Sequence, residues 1–364
     1  MKRNPFTPAF GSEPLFLAGR QRIIEDVIEG LESGPGNPNR ATIIIGQRGS
    51  GKTVLLSRIS NEAQQIGWIP ADVTATSGML GAIIEQAVKN AANFLPPKER
   101  MRLTGLGAFG VSVSAMPIQQ PEKSWRMQMT EILEVLNEQE IGLLITVDEV
   151  DAKNKELATL VSDFQHFVRE KRNVVLIMAG LPGKVFQLFN DESTSFVRRA
   201  FQHRLDKVPL ADVRSSMGKT IEASGRSIDD QALEEAALFT EGFPFLIQLV
   251  GYQIWKQSPD SKKISLDDVE SGTRGTVEAM DQMILETTIN ELSDTDVIFL
   301  EAMAHDEEVS YLSDIRERTG MTAAQAGQYR LRLIKQGVIE AFGRGKVQFT
   351  LPLLRDYLRR NQLD

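Results

Sequence analysis

The chain has 364 residues, 41% hydrophobic and 25% charged, the balance of an ordinary globular protein with room for two or three domains. With no cysteine it excludes disulfides, thiolate metal sites and thiol catalysis, and His166, His203 and His305 show no H-E-x-x-H zinc spacing. A net charge of −8 excludes a general electrostatic coat for nucleic acid, so any DNA contact must come from a local basic patch.

The start, Met1 to Pro8, is basic but has no apolar h-region, and no apolar run approaches the length of a membrane span. A cytoplasmic protein without membrane contact is expected. Leu17-Ala18-Gly19-Arg20-Gln21-Arg22 leads into an amphipathic helix with Ile23, Ile24, Val27, Ile28 and Leu31 on one side, and Ser33 to Asn39 is a breaker loop. Ala41-Thr42-Ile43-Ile44-Ile45 then reads as a buried parallel strand, and Val54 to Ile59 as an apolar-periodic helix.

Between that strand and helix, Gly46-Gln47-Arg48-Gly49-Ser50-Gly51-Lys52-Thr53 satisfies G-x-x-x-x-G-K-[ST] in the context the phosphate-binding loop requires. Glycines let backbone N–H groups wrap a phosphate without Cβ clashes, and the following helix adds its positive end. Lys52 is the expected partner of the β- and γ-phosphates, and Thr53 an expected Mg²⁺ ligand. The nucleotide-binding residues are therefore Gly46, Gln47, Arg48, Gly49, Ser50, Gly51, Lys52, Thr53 and Val54.

Further on come a short strand near Trp68 to Val73, a helix from Leu80 to Ala92, and a glycine-rich, then alternating stretch from Leu103 to Met116. That stretch reads as an inserted β-hairpin, either a plain edge or a contact for DNA or a neighbouring subunit. A helix around Trp125 to Leu136 precedes the apolar run Ile141 to Val147, which ends in Asp148-Glu149-Val150-Asp151. An Asp at such a strand end holds Mg²⁺, so Asp148 joins Thr53 in the metal set, and Glu149 is placed to orient or deprotonate the attacking water. Asp151 reads as structural or as a support behind the metal-holding and catalytic carboxylates. Asn154-Lys155-Glu156-Leu157 fails the [NT]-K-x-D guanine signature at its last position, which leaves ATP as the nucleotide.

A helix near Glu156 to Arg169 and a third strongly apolar strand, Asn173 to Pro182, complete an alternation of strands and helices. The fold class is α/β, a doubly wound parallel P-loop sheet with its ligand at the carboxyl ends of the strands. After Pro209 the pattern is helical: Ala211 to Ala223, Asp229 to Thr240, Phe245 to Lys256 and Leu266 to Leu285. From Glu286, three short helices precede two strands around Gly343-Arg344-Gly345, the order of a winged helix-turn-helix. The domains expected are thus 1–210, 211–285 and 286–364.

Charge divides the last of these. Residues 286–320 hold two arginines against ten carboxylates, and residues 321–364 hold eight basic residues against three acidic ones. On the presumed recognition helix Gln325, Gln328, Arg332 and Lys335 share a face, with Arg344 at the wing tip; Gln and Arg suit base edges, and an Arg suits a minor groove. These five are the candidate contacts to double-stranded DNA. Winged helices also dock proteins, so that alternative stays open.

With Gly19-Arg20 upstream, the phosphate loop and Asp148-Glu149 resemble those of AAA+ ATPases near the origin-recognition-type initiators and the STAND signalling ATPases. The resemblance implies that Gly19 and Arg20 lie near the adenine. It also implies that the helical region is a lid whose Gly242-Phe243-Pro244 meets the nucleotide, bringing Pro244 into the site. It implies ATP and Mg²⁺ as ligands, self-association on ATP binding, and an arginine finger for which Arg198, Arg199 and Arg204 are the candidates beside a plain solvated helix.

Two departures stand out. Ala179-Gly180 occupies the strand end where many AAA+ proteins place a polar sensor, and Phe245 stands where initiators tend to carry an Arg. They imply slow hydrolysis and a nucleotide-gated switch. The leading expectation is an ATPase whose nucleotide state controls a DNA-binding winged helix, and the rival is a STAND-like scaffold that docks proteins. A phosphotransferase is disfavoured because no acceptor pocket signature is present.

Overall fold

The computed structural model describes residues 3–9, 11–107 and 124–361. They divide into two units, one of residues 20–46 and 52–205, the other of residues up to 19, 47–51 and from 206 onward.

In the first unit the elements run α1 (Gln21–Glu32), β1 (Ala41–Gly46), α2 (Lys52–Gln65), β2 (Ile69–Thr74), α3 (Met79–Ala91), α4 (Pro97–Gly107), α5 (Trp125–Asn137) and β3 (Leu143–Asp148). They continue through α6 (Lys155–Arg169), β4 (Val174–Gly180), α7 (Pro182–Asn190), a 3-10 segment (Glu192–Arg199) and β5 (Phe201–Leu205). The five strands form one parallel sheet in the order β2-β3-β4-β1-β5. β1, β3 and β4 are buried nearly throughout, which is why they read as continuous apolar runs rather than as alternations. Asn154 caps α6 by accepting the Glu156 N–H at 2.9 Å, and Leu157, Leu160, Val161, Phe164 and Phe167 then turn into the core.

The strand order positions the site. From β1 the chain leaves for the far edge at β2, returns through β3 and β4, and crosses to β5 on the other side of β1. Gly46, Asp148 and Gly180 therefore end three parallel strands on one edge of the sheet, the place where such sheets hold ligands. β5 escaped the sequence reading because it is an edge strand, exposed at Phe201, Gln202 and Arg204 and buried only at His203 and Leu205.

The expected hairpin over Leu103 to Met116 is corrected in its first part. Residues up to Gly107 belong to α4, and Leu103 lies in the core at 1% exposure. Pro97 at the helix start and the run from Lys98 to Leu103 favour a helix, whereas the alternation that suggested strands begins later. Residues 108–116 lie outside the described residues.

The second unit runs α8 (Leu210–Ala223), β6 (Ser227–Ile228), α9 (Asp230–Phe239), α10 (Pro244–Lys256), β7 (Lys263–Ile264), α11 (Leu266–Met280), a π-helical turn (Asp281–Leu285) and α12 (Glu286–Asn290). Then follow α13 (Asp294–Ala304), β8 (Ser310–Tyr311), α14 (Leu312–Thr319), α15 (Ala323–Gln336), β9 (Ile339–Ala341), β10 (Lys346–Phe349) and α16 (Leu354–Asn361). The antiparallel sheet β8-β10-β9 with α13 to α15 fits a winged helix.

Two cores meet on α10. Ile247, Val250 and Ile254 pack with Phe6, Val208, Val213 and Met217. Leu246 and Leu249 pack with Phe243, Met280 and Leu285 and with Phe299, Leu333 and Val347 of the winged-helix region. The boundary expected at residue 286 falls inside helical backbone that runs from Leu266 to Asn290, interrupted by the π turn and tied to α16 where Arg360 donates to both Asp281 oxygens at 2.8 and 2.7 Å.

Candidate nucleotide site

The glycine spacing of the phosphate loop appears as backbone geometry. Gly49 and Gly51 have φ of +73° and +87°, values that side chains rarely adopt, so the loop turns where only glycine does so freely. Lys52, the first residue of α2, returns its Nζ to the Gly46 carbonyl at 3.0 Å and closes the loop across its base. One residue on, Thr53 Oγ1 donates to Asp148 Oδ2 at 2.5 Å, joining the start of α2 to the end of β3. Val54 is half-buried in the same first turn.

Asp148 uses its other oxygen on its neighbour: the Glu149 N–H donates to Oδ1 at 2.8 Å. Glu149 itself is exposed and has φ of +55°, an uncommon conformation for a non-glycine residue. The Val150 N–H then donates to the Ala179 carbonyl at 3.0 Å, and the Asp151 carboxylate pairs with Lys184 Nζ of α7. Burial acts to raise the Asp151 carboxyl, but the bonds from Lys184 and from the Lys153 N–H, with both lysine charges, hold it below the usual range. Lys184 is the residue the sequence reading missed; a lysine near a strand end gives no signal until the fold brings it to Asp151.

The second unit holds the loop residues 47–51. Ser50 is 4% exposed, and its hydroxyl has no hydrogen-bond partner in the protein. The Phe243 ring lies against the loop so closely that a Cβ on Gly49 would come within 2.7 Å of it, and Pro244 Cβ stands 3.8 Å from where a Gly51 Cβ would be. Arg48 pairs with Glu291, just past α12, at 3.3 Å across an exposed surface. Gly19 and Gly242, both with positive φ, flank Val208: a Cβ on Gly19 would meet Val208 Cγ1 at 2.9 Å, and one on Gly242 would meet the Val208 carbonyl oxygen at 2.3 Å. The fold thus brings Gly49 to Phe243-Pro244, and Gly19 and Gly242 to Val208. Arg20 is buried at the start of α1.

The arginine-finger candidates are all exposed. Arg198 donates to the Phe189 carbonyl, Arg199 ends the 3-10 segment, and Arg204 lies on the edge strand β5 beside Ile45.

In the winged-helix region the five candidate DNA contacts separate. Gln325 closes a capping box with Thr322: its Oε1 accepts the Thr322 N–H at 3.0 Å, and its own N–H donates to Thr322 Oγ1 at 3.3 Å. Arg332 is turned onto α13, where Nη2 donates to Ser293 Oγ at 2.7 Å and pairs with the buried Asp296. Both are thereby engaged inside the domain, as are Arg355, Arg359 and Arg360 of the basic half. Gln328, Lys335 and Arg344 are exposed.

Among the described residues, no group of three or more His, Asp or Glu side chains is placed to hold a metal, and no helix is long and apolar enough to cross a membrane. Residues 37–189 match a family described as AAA domain, and residues 282–358 match a domain of unknown function (DUF8462). No curated protein matches the chain. Among solved structures it is similar to the Walker-type ATPase PABY2304 of Pyrococcus abyssi, at 15% identity and a TM-score of 0.68 over 94% of this chain and 96% of that one. It is also similar to the Aeropyrum pernix ORC2 protein in its ADPNP-ADP complexes, at 14% identity and a TM-score of 0.62 over 98% of each chain. Cdc6p from Pyrobaculum aerophilum follows at 17% identity and a TM-score of 0.51, again over 98% of each. At such identities the likeness is one of fold.

Proposed function

We propose that this chain, with its P-loop NTPase α/β fold, its AAA-domain match over residues 37–189 and its likeness in fold to the ORC2 protein, binds and slowly hydrolyses Mg²⁺·ATP and that its nucleotide state controls a DNA-binding winged helix. The observation that carries this reading is the 2.5 Å contact of Thr53 Oγ1 with Asp148 Oδ2 beside the loop closed by Lys52. The residues suit the ligand: the buried Ser50 hydroxyl without a protein partner, the glycine turn and Lys52 offer donors and positive charge to phosphate. Thr53 and Asp148 would hold Mg²⁺, and two oxygen ligands suffice because Mg²⁺ takes its others from phosphates and water. When bound, the ion offsets charge on the phosphate oxygens.

The chain's own residues divide the work. Lys52 leaves the Gly46 carbonyl for the β- and γ-phosphates, and the Glu149 carboxylate takes the proton of the attacking water. The water oxygen bonds to the γ-phosphorus as the bond to the bridging oxygen breaks, giving ADP and phosphate. An arginine from a second copy, with Arg198, Arg199 and Arg204 as candidates, completes the charge on ATP-driven self-association. Gly19 and Arg20 serve the base, and Pro244, 3.8 Å from where a Cβ on Gly51 would stand, meets the nucleotide. The division into nucleotide, lid and winged-helix domains at residues 210 and 285 belongs to the same proposal.

For DNA the reading rests on Gln328, Lys335 and Arg344, with Gln325 and Arg332 serving the domain's own structure. One observation favours the scaffold alternative. Leu331 on α15 is 64% exposed and Phe342 before the wing tip 53%, an apolar presence more usual on protein-docking surfaces.

Fluorescence anisotropy of labelled duplex DNA with the Glu149→Gln variant, with and without Mg²⁺·ATP over a salt series, separates the two. An ATP-dependent affinity that falls steeply with salt supports the DNA switch. Retained ATP with no DNA binding in either state sinks it and leaves the scaffold.

A further inference from the structure

Glu149 holds a conformation that its neighbours must enforce. A non-glycine residue at φ of +55° persists where the surrounding structure over-determines it. On its N-terminal side the restraint is the bond from its own N–H to Asp148 Oδ1 at 2.8 Å. On its C-terminal side there are two. Val150, 1% exposed, donates its N–H to the Ala179 carbonyl at 3.0 Å and packs where Gly180 leaves room, since a Cβ on Gly180 would come 2.6 Å from Val150 Cγ2. Asp151 is gripped by Lys184 Nζ, while the Lys153 N–H donates to its other oxygen at 3.0 Å.

Lys184 is carried by the element that begins where β4 ends. It sits in the first turn of α7, its own N–H bonded to the Leu181 carbonyl at 3.0 Å. Ala179 and Gly180 offer no polar side chain at that strand end, so this cation is the polar group that the β4–α7 corner presents to the turn after β3. The pair is partly solvated, with side-chain exposures of 30% for Lys184 and 27% for Asp151. Ion pairs so placed contribute little to overall stability, which leaves local geometry as their effect.

We infer that Lys184 is a positioning residue for ATP hydrolysis: through Asp151 it holds the 149–151 turn, and with it the Glu149 carboxylate, in line with the attacking water. The inference rests on reading the site as an ATPase. It gives the corner the part that a polar side chain on the strand end itself would otherwise play, by way of a lysine one helical turn further on.

The test compares the full-length Lys184→Met, Lys184→Arg and Asp151→Asn chains and the Lys184→Met/Asp151→Asn double variant with the parent. Three readouts are taken: kcat and KM for Mg²⁺·ATP, affinity for a fluorescent ATP analogue, and amide hydrogen exchange of peptides spanning residues 148–152 without nucleotide. In Lys184→Met, kcat falls about 10- to 100-fold, the cost typical of a catalytic group displaced by about an ångström. Analogue affinity stays unchanged and exchange across the turn speeds up. Lys184→Arg restores most of kcat, and the double variant is no worse than either single, because both remove one interaction. Full kcat in Lys184→Met, or loss of analogue affinity in step with kcat, overturns the inference. Should the parent bind the analogue yet show no turnover, the hydrolytic reading fails and the catalytic part of the inference with it; faster exchange in Lys184→Met then supports only the hold of Lys184 on the 149–151 turn, and unchanged exchange overturns that too.

Discussion

Arg332 on α15 reaches back to Asp296 on α13, pairing a half-exposed guanidinium with a carboxylate of zero exposure. Asp296 already accepts the Ser293 N–H at 3.1 Å and the Ser293 hydroxyl at 2.7 Å, so the arginine completes an N-cap and staples two helices together. Its removal strands a buried charge. Arg332→Ala is expected to lower stability by about 1–3 kcal/mol, less than for a fully buried pair because the arginine is solvated. Urea unfolding of the variant checks this, and a shift within error would return Arg332 to the list of free DNA contacts.

Metal dependence should follow Asp148. Both of its oxygens are committed, one to Thr53 Oγ1 and one to the Glu149 N–H. In Asp148→Asn the amide keeps one acceptor but loses the charge, so nucleotide affinity should stop responding to Mg²⁺ while Mg²⁺-free affinity stays within about threefold, the fixed charges of the loop being untouched. Titration of a fluorescent ATP analogue with and without Mg²⁺ reads it. Lys52→Ala, by contrast, should abolish binding under both conditions.

Gly242 tolerates no side chain. Its φ is +71°, and a Cβ would lie 2.3 Å from the Val208 carbonyl oxygen, a backbone atom held in place by the 2.8 Å bond from the Val208 N–H to the Gly242 carbonyl. Gly242→Ala should cost roughly 2–4 kcal/mol and lower the melting temperature, whereas Gly320→Ala, with positive φ but open space around it, should cost about 1 kcal/mol. Equal losses in the two variants would contradict the steric argument.

Acid should weaken the winged-helix region through Asp306. The hydrogen bonds from Arg318, at 2.7 and 2.8 Å, hold its carboxyl below the usual range against the opposing effect of burial. A carboxyl depressed on folding adds stability that is complete above its unfolded pKa and is lost as pH falls through the lower folded value. Unfolding followed from neutral pH to below 4 should show that loss in the parent, and Asp306→Asn should flatten it.

Much of this was legible because the chemistry demanded rare patterns. Gly46 to Thr53 and Asp148-Glu149 stand out in any sequence, and the doubly buried β1, β3 and β4 announce themselves as apolar runs. What stayed hidden involved ordinary residues joined by the fold. Thr322-Ala323-Ala324-Gln325 spells a capping box, yet facing the same way as Gln328 made Gln325 look like a base reader. Arg332 shows the limit of helical periodicity, which gives the side of a helix but not the partner that a long side chain finds. Lys184 and Asp151 lie 33 residues apart and meet only because two strand ends share an edge.

α10 constrains how this protein can be altered. Phe243, just before its first turn, touches the phosphate loop, and the helix then supplies both hydrophobic cores of its unit from adjoining faces. A side chain exchanged on α10 therefore disturbs both cores at once, and substitutions that spare the fold should be scarce along it. The exposed Arg48–Glu291 pair has no such double duty. Under the proposed nucleotide switch, a screen for chains that still hold nucleotide but no longer respond to it should return substitutions there, at the surface, and leave the helix untouched.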